Sequence, residues 1–523
     1  MTTTAVRPQA PTAPPPRVRP AADLVVAAAC LAHLWLCWRL RGFVTDDSWI
    51  SVRYAENLAA GHGFVWNPGG PVVEGASNPL LVGLEALAAL AGLPALGAAR
   101  ALGVAAGVGC VLLVGLRGRA VVGAGAAAVA AVLVGCSAPF ALWAVGGLET
   151  LPVALVLTAA VLELARPDGG RAAVAGALLA LLPWLRPEGL APALALVALA
   201  EGPALVHRLR SRGPRGPRGP RGPRRPRSPR GPRVPRRAAH RAAWLLGAPL
   251  ASQALLELGR LAVFGHLLPN SVVYKSGTGE ATAVLGKFLD QGSLVVVLAV
   301  AGAVLAGGRA RLVAVPPLVL AAGSVGTLDS ANGYSRFFQP VWPLLALLAG
   351  VAVAALLAAA AGRRGRLAVA ATTAAAAGAL LLVPPGGLAA VQGWAARYTG
   401  CKVQAREAMA AWLRTTAPGT VFAVSDAGLV PARAGRTAVD DFLLNDPLIQ
   451  RTGPLPPAER AEVVLERRPD VLVLVSRDPR RFEAGYPTDA ELHERATAAG
   501  YRPVHVARGD GASCRYHLTA LAR

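Results

Sequence analysis

The feature that most limits how this chain can fold is a series of uninterrupted runs of Ala, Leu, Val and Gly, each roughly 16–22 residues long. A helix of that length covers the roughly 30 Å of hydrocarbon in a bilayer. Charge is scarce over the same 523 residues: 16% are charged, against about 25% in soluble domains, and 54% are hydrophobic. A soluble single-domain enzyme and a disordered chain are both excluded. The chain reads as a polytopic α-helical membrane protein.

The formal net charge of +23 is concentrated in one place. Between Arg208 and Arg241 there are fourteen arginines and no acid, in a Gly-Pro-Arg repeat that begins at Gly213. Pro and Gly oppose a helix there and self-repulsion opposes collapse. No aromatic residue is interleaved to stack on bases, so nucleic acid is not the expected partner. A solvated cytoplasmic loop (about 207–241) beside anionic membrane lipids fits better.

The positive-inside rule turns the runs into a topology. Arg7, Arg17 and Arg19 place a disordered N-terminus, residues 1–20, in the cytoplasm. A transmembrane domain follows over 21–384. Its first span is Ala21 to Trp38, and the others lie near 97–116, 120–136, 150–165, 172–185, 190–206, 242–259, 292–308, 312–327, 339–361 and 367–384. The apolar stretch Pro79–Leu93 is left in the first extracytoplasmic loop, about 43–96, as a juxtamembrane or re-entrant helix; counting it as a span would turn the polyarginine segment outward. About eleven spans put residues 385–523 outside. There, helix-like stretches (Lys402–Thr415, Ala458–Arg467, Asp489–Ala499) alternate with β-rich ones (Thr420–Val424, Asp470–Val475, Pro503–Ala507, Tyr516–Thr519), which predicts a compact α/β domain. Cys401 and Cys514 bracket it, and a disulfide between them requires an extracytoplasmic location. Cys30, Cys37, Cys110 and Cys136 lie in apolar runs as small hydrophobes.

With this threading, acids and bases from separate loops collect on one face of a plasma-membrane protein. Ionisable groups at such depths are functional candidates. Asp46 and Asp47 follow Thr45, so they suit a helix N-terminus, and one of them also suits a general base acting on an acceptor hydroxyl. Arg53, Arg186, Lys275 and Arg336 are of the type that clamps a phosphate, or alternatively snorkels to the interface. Glu149 and Glu188 orient those cations, bind sugar hydroxyls, or pair with Arg186. His62 and Trp66 are lid or loop-packing residues.

These residues resemble a known pattern. Asp46-Asp47, Arg53-Tyr54-Ala55-Glu56-Asn57-Leu58, Gly61-His62-Gly63, Asn67-Pro68-Gly69, Glu74-Gly75 and Ser77-Asn78-Pro79 resemble the first extracytoplasmic loop of the GT-C glycosyltransferases. Within that superfamily the likeness is to the mycobacterial-type terminal β-(1→2)-arabinofuranosyltransferases. Gly147-Leu148-Glu149-Thr150, Arg186-Pro187-Glu188-Gly189, Leu268-Pro269-Asn270 with Tyr274-Lys275, Arg336-Phe337, Asp426-Ala427-Gly428 and Leu444-Asn445-Asp446 follow in order. The resemblance implies a polyprenyl-phosphate sugar donor, an inverting transfer outside the membrane and a catalytic Asp in the first loop. It also implies a C-terminal domain that holds a cell-envelope glycan or lipid-linked acceptor. The catalytic candidates are Asp46 and Asp47. The donor- or substrate-binding candidates are Arg53, Tyr54, His62, Asn78, Glu149, Arg186, Glu188, Tyr274, Lys275 and Arg336. No cofactor is required, although paired acids are also of the type that binds a divalent metal.

Rival readings are a lipid-linked mannosyl- or other hexosyltransferase, a transporter, and a non-catalytic membrane protein. Transporters usually carry internal repeats and helices broken at the midplane. This chain has no convincing repeat, and its polar residues crowd one surface.

Overall fold

Ala and Leu are the strongest helix formers, and in lipid a helix is one of two structures that satisfy every backbone polar group. The apolar runs accordingly form helices in the computed structural model, which describes residues 18–210, 240–275, 281–323, 333–360, 362 and 387–523. The N-terminal tail to residue 17, most of the polyarginine loop and the expected span at 367–384 lie outside the described residues.

The first helix, α1, is Val18–Arg39. The first loop contributes α2 (Asp46–Ala59) and α3 (Pro79–Leu90), and α4 (Ala95–Leu112) continues as a wider turn to Arg117. Two expected spans coincide with α5 (Thr150–Ala165) and α6 (Ala172–Leu185). Helices Leu190–Arg210, Ala248–Phe264, Ala281–Leu305, Val315–Gly323 and Trp342–Ala359 overlap the positions of later expected spans. Among the described residues, three helices are long and apolar enough on their own to cross a membrane: Ala21–Arg39, Ala95–Val122 and Gly333–Ala359. A fourth arises if Ala124–Gly135 and Ala138–Val145, bent by 59°, count as one span. Small residues allow tight packing: a Cβ on Gly350 would run into the Ala126 backbone.

α3 keeps Leu81, Val82, Glu85 and Ala86 buried and leaves Leu84, Leu87 and Leu90 exposed. That apolar outer stripe suits a helix lying along a membrane surface.

The C-terminal domain has a five-stranded sheet in the order β2-β1-β3-β5-β4. Its strands are β1 (Val421–Val424), β2 (Thr437–Asp440), β3 (Val471–Ser476), β4 (Arg502–Arg508) and β5 (His517–Ala522). β2, β1 and β3 are parallel, whereas β5 runs antiparallel to β3 and β4. Every residue of β3 is buried, as expected of a central strand covered on both faces. β2, which the sequence reading did not predict, is only four residues long and ends in Asp440. Cys401 and Cys514 form the disulfide, with Cα atoms 5.5 Å apart.

The first loop is held from two sides. Arg260 of Ala248–Phe264 donates to Glu74 Oε1 at 3.0 Å, and both side chains are buried. On the other side, the Asn270 N–H donates to the Glu74 carbonyl at 3.1 Å, and its Nδ2 donates to the carbonyls of Leu444 (2.9 Å) and Asp446 (3.0 Å) in the C-terminal domain. Two motifs far apart in sequence thereby meet, and the α/β domain docks over the loop.

Candidate functional site

Thr45 sits at the N-cap of α2 with extended backbone but makes no side-chain capping bond. The expected helix start is nonetheless in place, with Asp46 and Asp47 in its first turn, and the two aspartates part ways. Consecutive helical residues point about 100° apart. Asp46 turns to the C-terminal domain, where Oδ1 accepts from the Leu429 N–H at 3.0 Å and pairs with Arg406 at 3.3 Å. Arg406 also binds Asp426 Oδ2 at 2.6 Å. Burial pushes the Asp46 carboxyl up; Arg406 opposes this and Asp426 adds to it, leaving it at about 6.

Asp47 turns to the membrane domain. Arg336 Nη1 donates to its Oδ2 at 2.9 Å, and the Asp47 side chain stays 46% exposed. Arg336 Nη2 donates to Glu149 Oε1 at 3.2 Å. Glu149 is buried at the start of α5, accepts from Asn78 Nδ2 at 2.8 Å, and lies 4.0 Å from Arg186 Nη1. Ser51 of α2 fixes the Asn78 amide by donating to its Oδ1 at 3.0 Å. Arg186 Nη2 pairs with Glu188 at 2.5 Å. Burial raises the Glu149 carboxyl, but Arg336, Arg186 and Asn78 pull it down further, to a net value below the ordinary one.

Arg336 is delivered by a strained segment. Tyr334 and Ser335 just before it have φ of +54° and +48°, a left-handed conformation that non-glycine residues hold only when their surroundings enforce it. Arg186 and Arg336 both lie against the Phe337 ring, at 4.8 and 5.4 Å from its centre. Arg336 Nε is buried without a partner among the described residues.

These groups border a cavity of about 450 Å³. Glu149, Arg186, Glu188 and Arg336 form its polar end, and Leu157, Leu182, Val319, Leu320 and Val341 are among its apolar walls. The arrangement can hold an anion at one end and an aliphatic chain along the rest.

Six of the sequence candidates therefore meet: Asp47, Asn78, Glu149, Arg186, Glu188 and Arg336. Others are placed elsewhere. Arg53 is not a phosphate clamp, because its N–H groups bind the carbonyls of Trp66 and Pro431 and Asn67 Oδ1 (2.8 Å), which pins α2 to the C-terminal domain. Tyr54 is buried, donating to Asn445 Oδ1 at 3.1 Å and accepting from the Gly75 N–H at 3.2 Å, so it is a strut and not a substrate contact. His62 is exposed in the loop after α2, apart from the cluster. Tyr274 faces the C-terminal domain, edge-on to Phe442 and 3.5 Å from Arg460. Lys275 ends the short helix Asn270–Lys275, and its side chain falls outside the described residues.

Arg406 was missed. Its signal was faint but present: on helix Gln404–Thr415 it shares the buried face with Ala405, Met409, Ala410 and Leu413. A cation on an apolar face signals a buried partner. Among the described residues, no three His, Cys, Asp or Glu side chains are grouped to hold a metal.

A family model described as a domain of unknown function (DUF8728) matches residues 395–518, nearly the whole C-terminal domain. No curated protein matches the sequence. Solved structures do. ArnT from Cupriavidus metallidurans in the apo state superposes with a TM-score of 0.55 at 14% identity, over 96% of this chain and 98% of that one. The same protein bound to undecaprenyl phosphate gives 0.56 at 15% identity over the same shares. An Archaeoglobus fulgidus oligosaccharyltransferase, tethered with an acceptor peptide, gives 0.52 at 14% identity, over 87% of this chain and 69% of that one. The chain shares the fold of these structures. In this fold the cavity lies between the helical domain and the first loop, which contributes Ser77 to its lining, while Asp47 of the same loop pairs with Arg336.

Proposed function

We propose that the chain is a membrane glycosyltransferase that moves a sugar from a polyprenyl-phosphate donor to an extracytoplasmic cell-envelope acceptor, a glycan or lipid-linked glycan, with inversion. The sugar is arabinofuranose, on the strength of the first-loop motifs. The observation that carries the reading is the cavity itself: aliphatic walls ending at two guanidiniums, with a half-exposed carboxylate bound to one of them. A polyprenyl tail lies along Leu157, Leu182 and Leu320, and its phosphate meets Arg186 and Arg336. Guanidinium suits phosphate because its N–H groups match two oxygens at once. The unpartnered Arg336 Nε is a donor still to be satisfied.

Asp47, not Asp46, is the base. Its carboxylate takes the proton of the acceptor hydroxyl while that oxygen attacks the anomeric carbon and the bond to the donor phosphate breaks. Charge developing on the leaving phosphate is stabilised by arginines that are already in place. Asp46 is unsuited to this task, since Arg406 and the Leu429 N–H already occupy its Oδ1 and the Gly428 N–H its Oδ2. Asn78 and Glu149 hold Arg336 and Arg186 in position. The acceptor enters beneath the C-terminal domain, where Tyr274, Phe442 and Tyr486 cluster.

The orientation follows from the same reading. About eleven spans, a cytoplasmic N-terminus and an outer C-terminal domain put Asp47 on the outer surface, and the Cys401–Cys514 disulfide supports an oxidising location. Protein reconstituted in vesicles, offered polyprenyl-phosphoryl arabinofuranose and an arabinan acceptor, is expected to transfer the sugar. Transfer only from a mannosyl or other hexosyl donor would replace arabinose in the reading. Absence of transfer from every donor of this kind would reject it.

A further inference from the structure

The charges around the cavity do not balance. Among the described side chains, three carboxylates (Asp47, Glu149 and Glu188) face two guanidiniums, Arg186 and Arg336. A donor phosphate brings another negative charge to this described set, in which carboxylates already outnumber guanidiniums. Like charges held this close disfavour each other by an amount that decides binding. One carboxylate has to yield.

The three differ in their freedom to do so. Glu149 is buried and held by Asn78 and both arginines. Asp47 contacts Arg336 from α2, outside the residues that line the cavity. Glu188 both lines the cavity and has a side chain 51% exposed. It stands on a single 3-10 turn, Pro187–Gly189, directly after Arg186. The backbone of that turn is fixed, because Gly189 packs so tightly on Leu182 that a Cβ would lie 2.5 Å from its carbonyl carbon. The side chain above it is free to change rotamer on the ps–ns timescale of exposed residues.

Arg186 shows where the competition falls. Its Nη1 faces buried Glu149, and its Nη2 is taken by Glu188 at 2.5 Å. A phosphate oxygen that binds Nη2 has to take the place of the Glu188 carboxylate. We infer that Glu188 is an internal stand-in for the donor phosphate, displaced to water when the polyprenyl phosphate binds and returning to Arg186 when it leaves. The inference rests on the proposed use of a polyprenyl-phosphate donor. It assigns Glu188 to exchange at the anion site, as a positioning residue that tunes product release, and not to sugar recognition. The need for such a device is greatest after transfer, because the departing phosphate monoester carries more negative charge, about −1.5 to −2, than the diester did.

The test is equilibrium binding of undecaprenyl phosphate to the full chain in nanodiscs, with undecaprenol as the uncharged control. Glu188→Gln and Glu188→Ala are expected to bind undecaprenyl phosphate about fivefold more tightly than the parent at low salt. The gap should narrow as added salt screens the half-exposed carboxylate, and undecaprenol should bind all three chains alike. In turnover, both variants should show a lower inhibition constant for undecaprenyl phosphate. Unchanged or weaker binding by both variants, with the parent binding normally, overturns this inference and leaves the proposed function standing. No saturable binding of undecaprenyl phosphate by the parent overturns both. A melting temperature within about 2 °C of the parent shows that the variants are folded.

Discussion

Two buried charge networks flank α2, and adjacent residues feed them. On the outer side, Asp46, Arg406 and Asp426 join the first loop to the C-terminal domain, with Tyr516 Oη at 3.1 Å and Tyr398 Oη at 3.3 Å completing the guanidinium's contacts. On the inner side, Arg336, Glu149, Arg186 and Glu188 line a cavity, and Asp47 pairs with Arg336. The outer network is closed: its carboxylates and cation are occupied from every direction. The inner one keeps two half-exposed acids, one unpartnered N–H and an open volume beside them. Both began as two identical side chains in one turn of helix. Saturation of polar groups, more than the presence of charge, separates a structural clasp from a site that can take a ligand.

The sharpest way to break this comparison is to exchange the acids one at a time. Asp47→Asn should lower transfer about 10³-fold, roughly 4 kcal/mol on the barrier, with no loss of melting temperature. Asp46→Asn should act the other way round, lowering the melting temperature while transfer by the folded fraction falls less than about tenfold. Equal losses of transfer in both variants would erase the distinction between the two networks.

Next in size is Arg406→Met, which leaves Asp46 and Asp426 buried without a cation. Removing one partner of a buried pair destabilises by about 3 kcal/mol or more, read as loss of the C-terminal domain's unfolding transition. Arg336→Met should instead abolish transfer and undecaprenyl phosphate binding. Removing the disulfide with Cys401→Ser and Cys514→Ser should cost about 2 kcal/mol in the same domain, and thiol labelling of the double-reduced parent should succeed from outside the cell only.

The smallest expected effect is a pH slope. Folded Asp46 titrates near 6 against an ordinary 3.8, so the folded chain keeps a proton that the unfolded chain has already released. Its contribution to stability is fullest below about 4 and declines as pH rises to about 6. Melting temperature followed across that window should therefore fall with pH in the parent and less steeply in Asp46→Asn.

Much of the architecture was legible because it obeys local rules. The runs at 150–165 and 172–185 coincide with α5 and α6, since length and composition alone decide a helix that must satisfy its backbone in lipid. The four β-rich runs of the C-terminal domain became β1, β3, β4 and β5 for the same reason, whereas short β2 depends on pairing with β1. The site was half legible. Glu149, Arg186, Glu188, Asn78 and Arg336 were visible as isolated polar groups, but Arg53 and Tyr54 carry the same chemistry and are spent on holding the loop.

The sequence by itself determined that this chain is a helical membrane protein with an α/β domain at its end, and it pointed to acids and arginines of separate loops as the candidates for a site. It could do so because apolar length and alternation are properties of neighbouring residues. Only the tertiary structure decided that Asp46 clasps Arg406 while Asp47 meets Arg336, and that Glu188 pairs with Arg186 Nη2 beside the cavity. Those assignments depend on which partners arrive from segments up to several hundred residues away, and no local pattern records that.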